Sequence, residues 1–343
     1  MSRNGPRAVS DFTIEQNWQG YSEEEHAVWR LLFERQQKLL IGRACCEYLD
    51  GLGALGVAAS GIPDFHRLSN VLERTTGWRI VAVPGLVPDA VFFGHLARRR
   101  FPSTCFIRRP DQLDYLQEPD VFHDICGHVP LLMNPVFADY MQAYGEGGLK
   151  AQGLGHLQHL ARLYWYTVEF GLIATPAGLR IYGSGILSSA GESIYCLDDP
   201  RPHRLGFDLR RVMRTRYRID RFQETYFVID DFSQLFAATR PDFTPIYREI
   251  AVLPDLDPDA MLGCDRRFAS PSSAKKNGPQ LKARPKFREE TPRRRTVRPQ
   301  PAIVTATHNV MCCAEMSSGF FETSGIVGDS GADQGVRPHP AAK

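Results

Sequence analysis

The stretch PDVFHDICGHVP, residues 119–130, decides how the sequence is interpreted because it holds two histidines, His123 and His128, five residues apart. On a straight α-helix five residues turn by roughly 500°, which would point the two rings about 140° apart. Gly127 and Pro130 favour the end of the helix at this point, since glycine relaxes the backbone and proline stops a helix from continuing. We therefore predict that the helix ends at Gly127 and that His128 turns in to share a metal with His123. The alternative to a shared metal is that one histidine caps the end of the helix and the other is an unrelated histidine of the core.

A lone carboxylate in an apolar segment is the second feature. Glu169 is the only acidic residue of LYWYTVEFGLI, residues 163–173, and its neighbours on the helix include Trp165, Tyr166 and Ile173. Because a buried unpaired carboxylate is costly, Glu169 needs an arginine partner, a raised pKa or a metal. Two histidines and one carboxylate, with three coordination positions open, form the facial triad of non-haem Fe(II) oxygenases. A three-ligand catalytic zinc site uses similar residue types and stays open as an alternative.

The distribution of apolar residues predicts a mainly α fold with a small β component (α+β). Apolar positions at helical spacing, acidic first turns and terminal glycines indicate helices, and alternating β-branched residues indicate strands. The predicted helices are 23–52, 62–77, 87–101, 120–128, 134–148 and 154–173. The predicted strands are 78–85 and 103–109, while 179–197 is predicted as short strand and turn and 206–239 as helix, strand and helix.

Composition excludes several classes of protein. The 343 residues carry a net charge of only +2, which gives no general attraction to nucleic acid or membranes, and no apolar run is long enough to span a bilayer. The eight cysteines show no C-x-x-C pattern, and the N-terminus lacks the apolar segment of a signal peptide, so we expect a cytoplasmic protein with free thiols. GLGALG, residues 51–56, matches G-x-G-x-x-G but follows helical residues instead of a strand, which argues against phosphate binding.

The chain divides into three parts by composition. We expect a flexible N-terminus at 1–17, one folded catalytic domain at 18–256 and a basic, low-complexity tail at 257–343. The tail is rich in proline, serine and basic residues and cannot bury enough apolar area to offset its chain entropy, so we predict that it is disordered. Its basic run at 293–295 is more simply explained by solvation than by an acidic partner.

Three motifs in this order, EPDVFHDICGHVPLL, LYWYTVEFGL and YGSGILSSAGE, resemble the pterin-dependent aromatic amino acid hydroxylases, and most closely the compact bacterial phenylalanine 4-hydroxylases. The similarity runs over residues 18–253 and includes GWRIVAVPGLVPDAVFF. It implies a single hydroxylase-type catalytic domain that uses Fe(II), a tetrahydropterin and O2 to hydroxylate L-phenylalanine to L-tyrosine. Hydroxylation of tryptophan or tyrosine stays open, and a zinc hydrolase or a non-catalytic binding protein is the remaining alternative.

The resemblance also implies roles for individual residues. His123, His128 and Glu169 would bind Fe(II), and Arg108 would hold the substrate carboxylate, which suits a guanidinium fork. Asp120 would orient that arginine, and Pro119, Trp165 and Phe170 would wall the aromatic pocket. Ser188 would lie beside the substrate and a ligand histidine, and Glu192 would lie near the pterin and the iron. Phe92 would stack on the pterin, with the adjacent Phe93 as the alternative. Without the surrounding motif, core packing would be the simpler explanation of Trp165 and Phe170.

The sequence departs from the family pattern at three positions. Cys126 stands between the two histidines, Asp124 follows His123 where many relatives have glutamate, and Ser184 turns the commoner YGAG into YGSG. A thiol at 126 is open to oxidation or metal competition, and the shorter carboxylate at 124 changes contacts to the pterin. None of the three removes a ligand, so we expect activity. Neither a regulatory N-terminal domain nor a tetramerising C-terminal helix is expected, which favours a monomer.

Overall fold

The computed structural model describes residues 11–114, 116 and 118–269, and within that range the fold is helical with two small sheets. The predicted disorder of the tail lies outside the described residues from 270 onward. The α-helices are α1 Glu23–Leu40, α2 Cys46–Leu55, α3 Phe65–Thr76, α4 Asp89–Leu96, α5 Pro135–Leu154, α6 Leu157–Tyr164, α7 Ser184–Leu187, α8 Ala190–Asp198, α9 Leu209–Arg214, α10 Phe232–Thr239 and α11 Thr244–Ala251. The strands are β1 Arg79–Val83, β2 Arg100–Thr104, β3 Leu172–Thr175, β4 Gly178–Ile181, β5 His203–Gly206 and β6 Thr225–Ile229.

The two sheets flank the segments that carry His123, His128 and Glu169. Strands β1 and β2 form a parallel pair, and the larger sheet has the order β4-β3-β6-β5, with β3 and β4 antiparallel and β6 parallel to both β3 and β5. Strand β2 ends at Thr104, close to the histidine segment, and β3 begins at Leu172, just after Glu169. One continuous hydrophobic cluster joins both sheets to α1, α3 and α5.

The helix predicted over residues 23–52 is two helices. Helix α1 begins with a capping box in which Ser22 and Glu25 bond each other's backbone, and it ends at Leu40. Gly42 then adopts a φ of +71°, a left-handed conformation that glycine tolerates and a helix does not. The backbone N–H of Cys45 bonds the carbonyl of Ile181 at 2.9 Å, so the chain leaves the helix to pair with the end of β4. Tertiary pairing therefore outweighs the local helical pattern.

The GLGALG segment lies in helix α2 and its cap, which confirms that it does not follow a strand. Gly51 is inside α2, and a Cβ there would lie 2.1 Å from the carbonyl oxygen of Pro130. The helix ends at Leu55 and is capped by Gly56, whose φ of +61° is left-handed. Gly51 is therefore needed for the close approach of α2 to the segment after His128.

Other boundaries differ from the prediction for local reasons. Helix α4 stops at Leu96 because Arg99 takes a left-handed φ of +53°, with its guanidinium bonded to Gln142, Asp139 and the carbonyl of Thr76. Strand β2 consequently begins at Arg100 and ends before most of the predicted 103–109. The segment 179–197 begins in strand β4, which agrees with the short strand predicted there, but it continues into two helices, α7 and α8, where turn was predicted. Strand β5 was not predicted.

Residues on both sides of the predicted 18–256 domain pack against it. In the N-terminal segment, the N–H of Ile14 bonds the carbonyl of Ala82 in β1 at 2.9 Å. After residue 256, Asp265 forms a buried ion pair with Arg211 of α9 at 3.1 Å. Residues 11–17 and 257–269 thus belong to the folded unit, because their backbone and charges find partners there. In the described part of the chain, no helix has the length and apolar character needed to cross a bilayer.

Candidate metal centre

The two histidines of the opening stretch lie on a π-helix, His123–His128, and not at the end of an α-helix. Because a π-helix closes its hydrogen bonds between residues five apart, such residues lie one above the other. The prediction that the helix stops at Gly127 was therefore wrong: the helical path continues through His128 into a 3-10 helix, Val129–Met133. The Nε2 atoms of His123 and His128 lie 3.1 Å apart, and both side chains are buried.

Glu169 completes the cluster from a second π-helix, Trp165–Glu169, at the end of α6. Its Oε1 lies 3.2 Å from His128 Nε2, and its Oε2 lies 3.8 Å from His123 Nε2. One ligating atom from each of the three side chains falls within 4.8 Å of the others. None of the arginines that the structure describes pairs with Glu169, so its ion-pair partners there are the two histidines.

The protonation of the cluster suits metal binding. Burial lowers the pKa of His123 to about 4, so its imidazole is neutral near pH 7 and has a lone pair to share. Burial alone would raise the pKa of Glu169, but the facing histidines and the hydroxyl of Ser184 more than offset it and hold that pKa below its ordinary value. Two imidazole nitrogens and an ionised carboxylate that face one another fit a divalent cation, and their residue types match both Fe(II) and zinc.

Ser188 orients the first histidine. Its hydroxyl donates to the carbonyl of Ser184 at 2.8 Å and lies 2.8 Å from Nδ1 of His123. Since the hydroxyl has one proton and gives it to the carbonyl, Nδ1 of His123 is the donor of the second bond. The lone pair of His123 then sits on Nε2, which points at the cluster, and this is the usual arrangement of metal-binding histidines.

Arg108 and Asp120 form a buried ion pair next to the histidine segment. The guanidinium donates through Nε and Nη2 to the two carboxylate oxygens at 2.8 and 2.9 Å, and Asp120 also accepts the N–H groups of Arg108 and His123 at 3.0 Å. Burial would raise the pKa of Asp120, but the adjacent guanidinium keeps it below its ordinary value. Asp120 therefore ties Arg108 to the π-helix, and Nη1, with one 3.4 Å bond to the carbonyl of Leu113, keeps donor capacity.

A cavity opens onto the three metal-facing side chains. Phe92, one of the two candidate pterin-stacking rings, lines this cavity, whereas Phe93 is buried against Gly148 and Tyr144 in the core. Pro119 also lines it. The remaining lining residues are Val83, Gly85, Leu86, Val87, Phe101, Pro102, Thr104, Asp124 and Tyr164, together with His123, His128 and Glu169.

Trp165 and Phe170 lie in the core beside Glu169 and have no exposed surface. Their rings are 4.7 Å apart, Trp165 stacks on Tyr217 at 4.3 Å, and its indole N–H donates to Gln223 at 2.9 Å. The structure thus buries Trp165 and Phe170 in the core, and neither is part of the cavity lining.

Glu192 is buried in a separate polar network. Its Oε1 accepts the phenol of Tyr226 and, at 3.1 Å, the N–H of Gln223, the residue that also bonds Trp165. Burial raises the pKa of Glu192 to about 7. Glu192 is not part of the cavity lining, and Gln223 links it to Trp165, which stands four residues before Glu169 in the same π-helix.

The structure brings two further residues to the cluster, for which the sequence indicated at most an effect on contacts to the pterin. Asp124 lies in the cavity wall and accepts the N–H and hydroxyl of Thr104 at 2.8 and 3.0 Å, and burial raises its pKa to about 7. Ser184 donates to Glu169 at 2.8 Å. In the sequence, the only feature that marks Asp124 and Ser184 is their departure from the family pattern.

Comparison with known proteins agrees with the resemblance seen in the motifs. A family model described as biopterin-dependent aromatic amino acid hydroxylase matches residues 16–254. A phenylalanine-4-hydroxylase of Ralstonia nicotianae is 65% identical over 270 residues, covering 77% of this chain and 86% of that protein. A phenylalanine-4-hydroxylase of Chromobacterium violaceum is 66% identical over 243 residues, covering 71% of this chain and 82% of that protein.

Solved structures give the same picture. A crystal structure of the Chromobacterium violaceum phenylalanine hydroxylase with iron and phenylalanine bound matches with a TM-score of 0.73 and 60% identity, over 76% of this chain and 95% of that chain. The cobalt-bound structure of the same enzyme matches with a TM-score of 0.75 and 62% identity, over 76% of this chain and 94% of that chain. The predicted fold class, mainly helical with a small β component, is confirmed.

Proposed function

The chain belongs to the biopterin-dependent aromatic amino acid hydroxylases, and from that premise we propose that it is a phenylalanine 4-monooxygenase. It would convert L-phenylalanine to L-tyrosine with Fe(II), a tetrahydropterin and O2. The observation that carries the proposal is the convergence of His123, His128 and Glu169 on one buried point, on a chain this similar to phenylalanine hydroxylases. When bound, iron and tetrahydropterin supply oxygen activation and two electrons, so that one atom of O2 enters the ring and the other leaves as water.

In this proposal His123, His128 and Glu169 would hold Fe(II), and the cavity that opens onto them would admit the pterin and the substrate. His123 and His128 bind through Nε2, because these atoms face each other and the Nδ1 of His123 is engaged by Ser188. Burial of the cluster keeps bulk water away from the reacting centre, which strengthens every electrostatic contact there.

Arg108 is the proposed anchor of the substrate carboxylate. Two of its nitrogens are held by Asp120, so the guanidinium is fixed in place and offers the remaining N–H groups to the amino acid. A fixed donor restricts how the substrate lies, and this orients the phenyl ring toward the metal side of the cavity. Pro119 is the proposed wall at the cavity surface, while Trp165 and Phe170 are buried in the core next to Glu169.

Phe92 is the proposed stacking partner of the pterin, supported by its place in the cavity lining. Asp124, in the same wall, is a further candidate for contact with the pterin or its waters. Ser188 acts on His123, and Glu192 supports the site through Gln223 and Trp165. We also propose a cytoplasmic monomer, which is consistent with the free thiols of Cys45, Cys46, Cys105, Cys126, Cys196 and Cys264.

The test is product formation by the purified, iron-loaded protein. Tyrosine should form from phenylalanine only when tetrahydropterin and O2 are both present, and the new oxygen should come from labelled O2. Glu169→Gln is the matched control, since it keeps the shape of the ligand and removes its charge. Turnover without pterin, or none with it, would contradict the proposal.

Competition among phenylalanine, tyrosine and tryptophan decides the preferred substrate. Phenylalanine should be consumed first, and preferred hydroxylation of either other amino acid would replace the proposed substrate while keeping the reaction class. Tightly held zinc without pterin-dependent oxygen uptake would instead favour the hydrolase or binding-protein alternative.

A further inference from the structure

Ser184 contacts the carboxylate ligand directly. Its side chain is almost fully buried, and its hydroxyl donates to Oε2 of Glu169 at 2.8 Å. The carbonyl oxygen of Val168 lies 3.0 Å from the same hydroxyl. A serine hydroxyl has one proton, so these two acceptors compete for it. The ionised carboxylate is the stronger acceptor, and the short bond to Oε2 is charge-assisted.

This bond distinguishes the two oxygens of Glu169. Oε2 is engaged by Ser184, while Oε1 faces His128 Nε2 at 3.2 Å. The side chain is thereby held in one rotation, with Oε1 toward the histidine cluster. Without the hydroxyl, Oε2 would face His123 Nε2 at 3.8 Å, which is too long for a hydrogen bond.

Close packing of helix α7 places Ser184 at this position. A Cβ on Gly127 would lie 2.9 Å from the carbonyl oxygen of Ser184, so the π-helix and α7 approach through a glycine. A Cβ on Gly185 would lie 2.9 Å from the ring of Phe170 and 3.3 Å from Oε2 of Glu169. Two serines at the ends of α7 thus contact two different metal-facing side chains. Ser184, its first residue, bonds Glu169, and Ser188, which follows its last residue, bonds His123.

We propose that Ser184 is a positioning residue for the metal site: its hydroxyl holds Oε2 of Glu169 so that Oε1 is the oxygen presented to the metal. The proposal rests on the proposed function, because it takes Glu169 as an iron ligand. It also gives a role to the YGSG departure, since an alanine at this position has no hydroxyl to give to the carboxylate.

The test compares metal binding by Ser184→Ala and Ser184→Cys with binding by the unaltered chain. Alanine removes the donor, and cysteine fills the position with a slightly larger side chain that is only a weak donor. Thr225→Val is the matched control, since it removes a buried hydroxyl of strand β6 that donates to the carbonyl of Pro258 and has no described hydrogen bond to His123, His128 or Glu169. Fe(II) affinity is measured anaerobically by competition with a chelator, and coordination by the visible spectrum of the Co(II)-loaded protein.

Both Ser184 variants should bind Fe(II) about 10- to 100-fold more weakly than the unaltered chain, the usual effect of losing a residue that orients a ligand. At saturating Co(II) their spectra should differ from that of the unaltered chain, while the Thr225→Val spectrum should not. The KM for phenylalanine should change little, since Arg108 and Asp120 are untouched.

Two results would overturn the inference. Unchanged affinity and spectrum in Ser184→Ala would show that the hydroxyl does not position Glu169, and full affinity in Ser184→Cys would assign the effect to packing. If the unaltered chain hydroxylates phenylalanine while the Ser184 variants match it in metal binding, only this inference fails. If the unaltered chain binds no Fe(II), the proposed function and the inference fail together.

Discussion

The Arg108–Asp120 pair gives the sharpest prediction for a single substitution, Asp120→Asn. The carboxylate accepts four N–H groups: Oδ2 takes the backbone N–H and Nε of Arg108, and Oδ1 takes Nη2 of Arg108 and the backbone N–H of His123. An asparagine amide has one oxygen. Whichever way it is turned, its NH2 group faces two donors that lose their acceptor, and the guanidinium loses its counter-charge.

The expected cost follows from burial. Arg108 is 8% exposed and Asp120 is fully buried, so water cannot replace the lost partner. Removing one member of such a pair typically costs about 3–5 kcal/mol of unfolding free energy, which corresponds to a fall in Tm of roughly 10 °C for a domain of this size. The KM for phenylalanine should rise as well, because the proposed carboxylate anchor is no longer held in place.

Urea denaturation and thermal melts of the two proteins measure this cost. The matched control is Asp114→Asn, which breaks the pair between Arg35 and an aspartate that is 88% exposed. Exposed pairs contribute about 0–1 kcal/mol, so this variant should melt close to the unaltered chain. An Asp120→Asn protein that is as stable as the Asp114→Asn protein would refute the reasoning from burial.

Two further predictions concern residues outside the metal cluster. The pKa of Glu192 is about 7 in the folded state, against an ordinary value of 4.5, so the folded protein keeps a proton that the unfolded chain loses. The free energy of unfolding should therefore fall as pH rises from 4.5 to about 7, by about 3 kcal/mol in total. Glu192→Gln should flatten this fall in urea titrations between about pH 5 and 8; an unchanged pH profile would exclude Glu192 as its source. In α2, Gly51→Ala should destabilise the fold by at least about 1–3 kcal/mol because its Cβ meets the Pro130 carbonyl oxygen at 2.1 Å. Gly53→Ala, with no atom within 4 Å, should be neutral or stabilising, and equal effects would contradict the packing argument.

The ligand set was predictable from residue types, but its geometry was not. His123, His128 and Glu169 could be singled out because two histidines and a lone carboxylate in apolar surroundings need a common partner. The five-residue spacing looked unfavourable only because an α-helix was assumed. The π-helix that resolves it depends on packing against α7 through Gly127, a contact between residues far apart in the chain.

The other misses have the same origin. The break after Leu40 comes from pairing with β4, more than a hundred residues later, and the end of α4 comes from the contacts of Arg99 with α5. Local periodicity carries no information about such partners, so it extends helices past their true ends. Whether Phe92 or Phe93 lines the cavity likewise depends on which ring packs against Gly148 of α5.

The most direct test of the account is a crystal structure of the Fe(II)-loaded protein, grown without oxygen. We expect one ion with Nε2 of His123, Nε2 of His128 and a single oxygen of Glu169, Oε1, each within about 2–2.5 Å. Ser184 should remain on Oε2. An ion held elsewhere, or a Glu169 carboxylate turned away from the ion, would contradict the account.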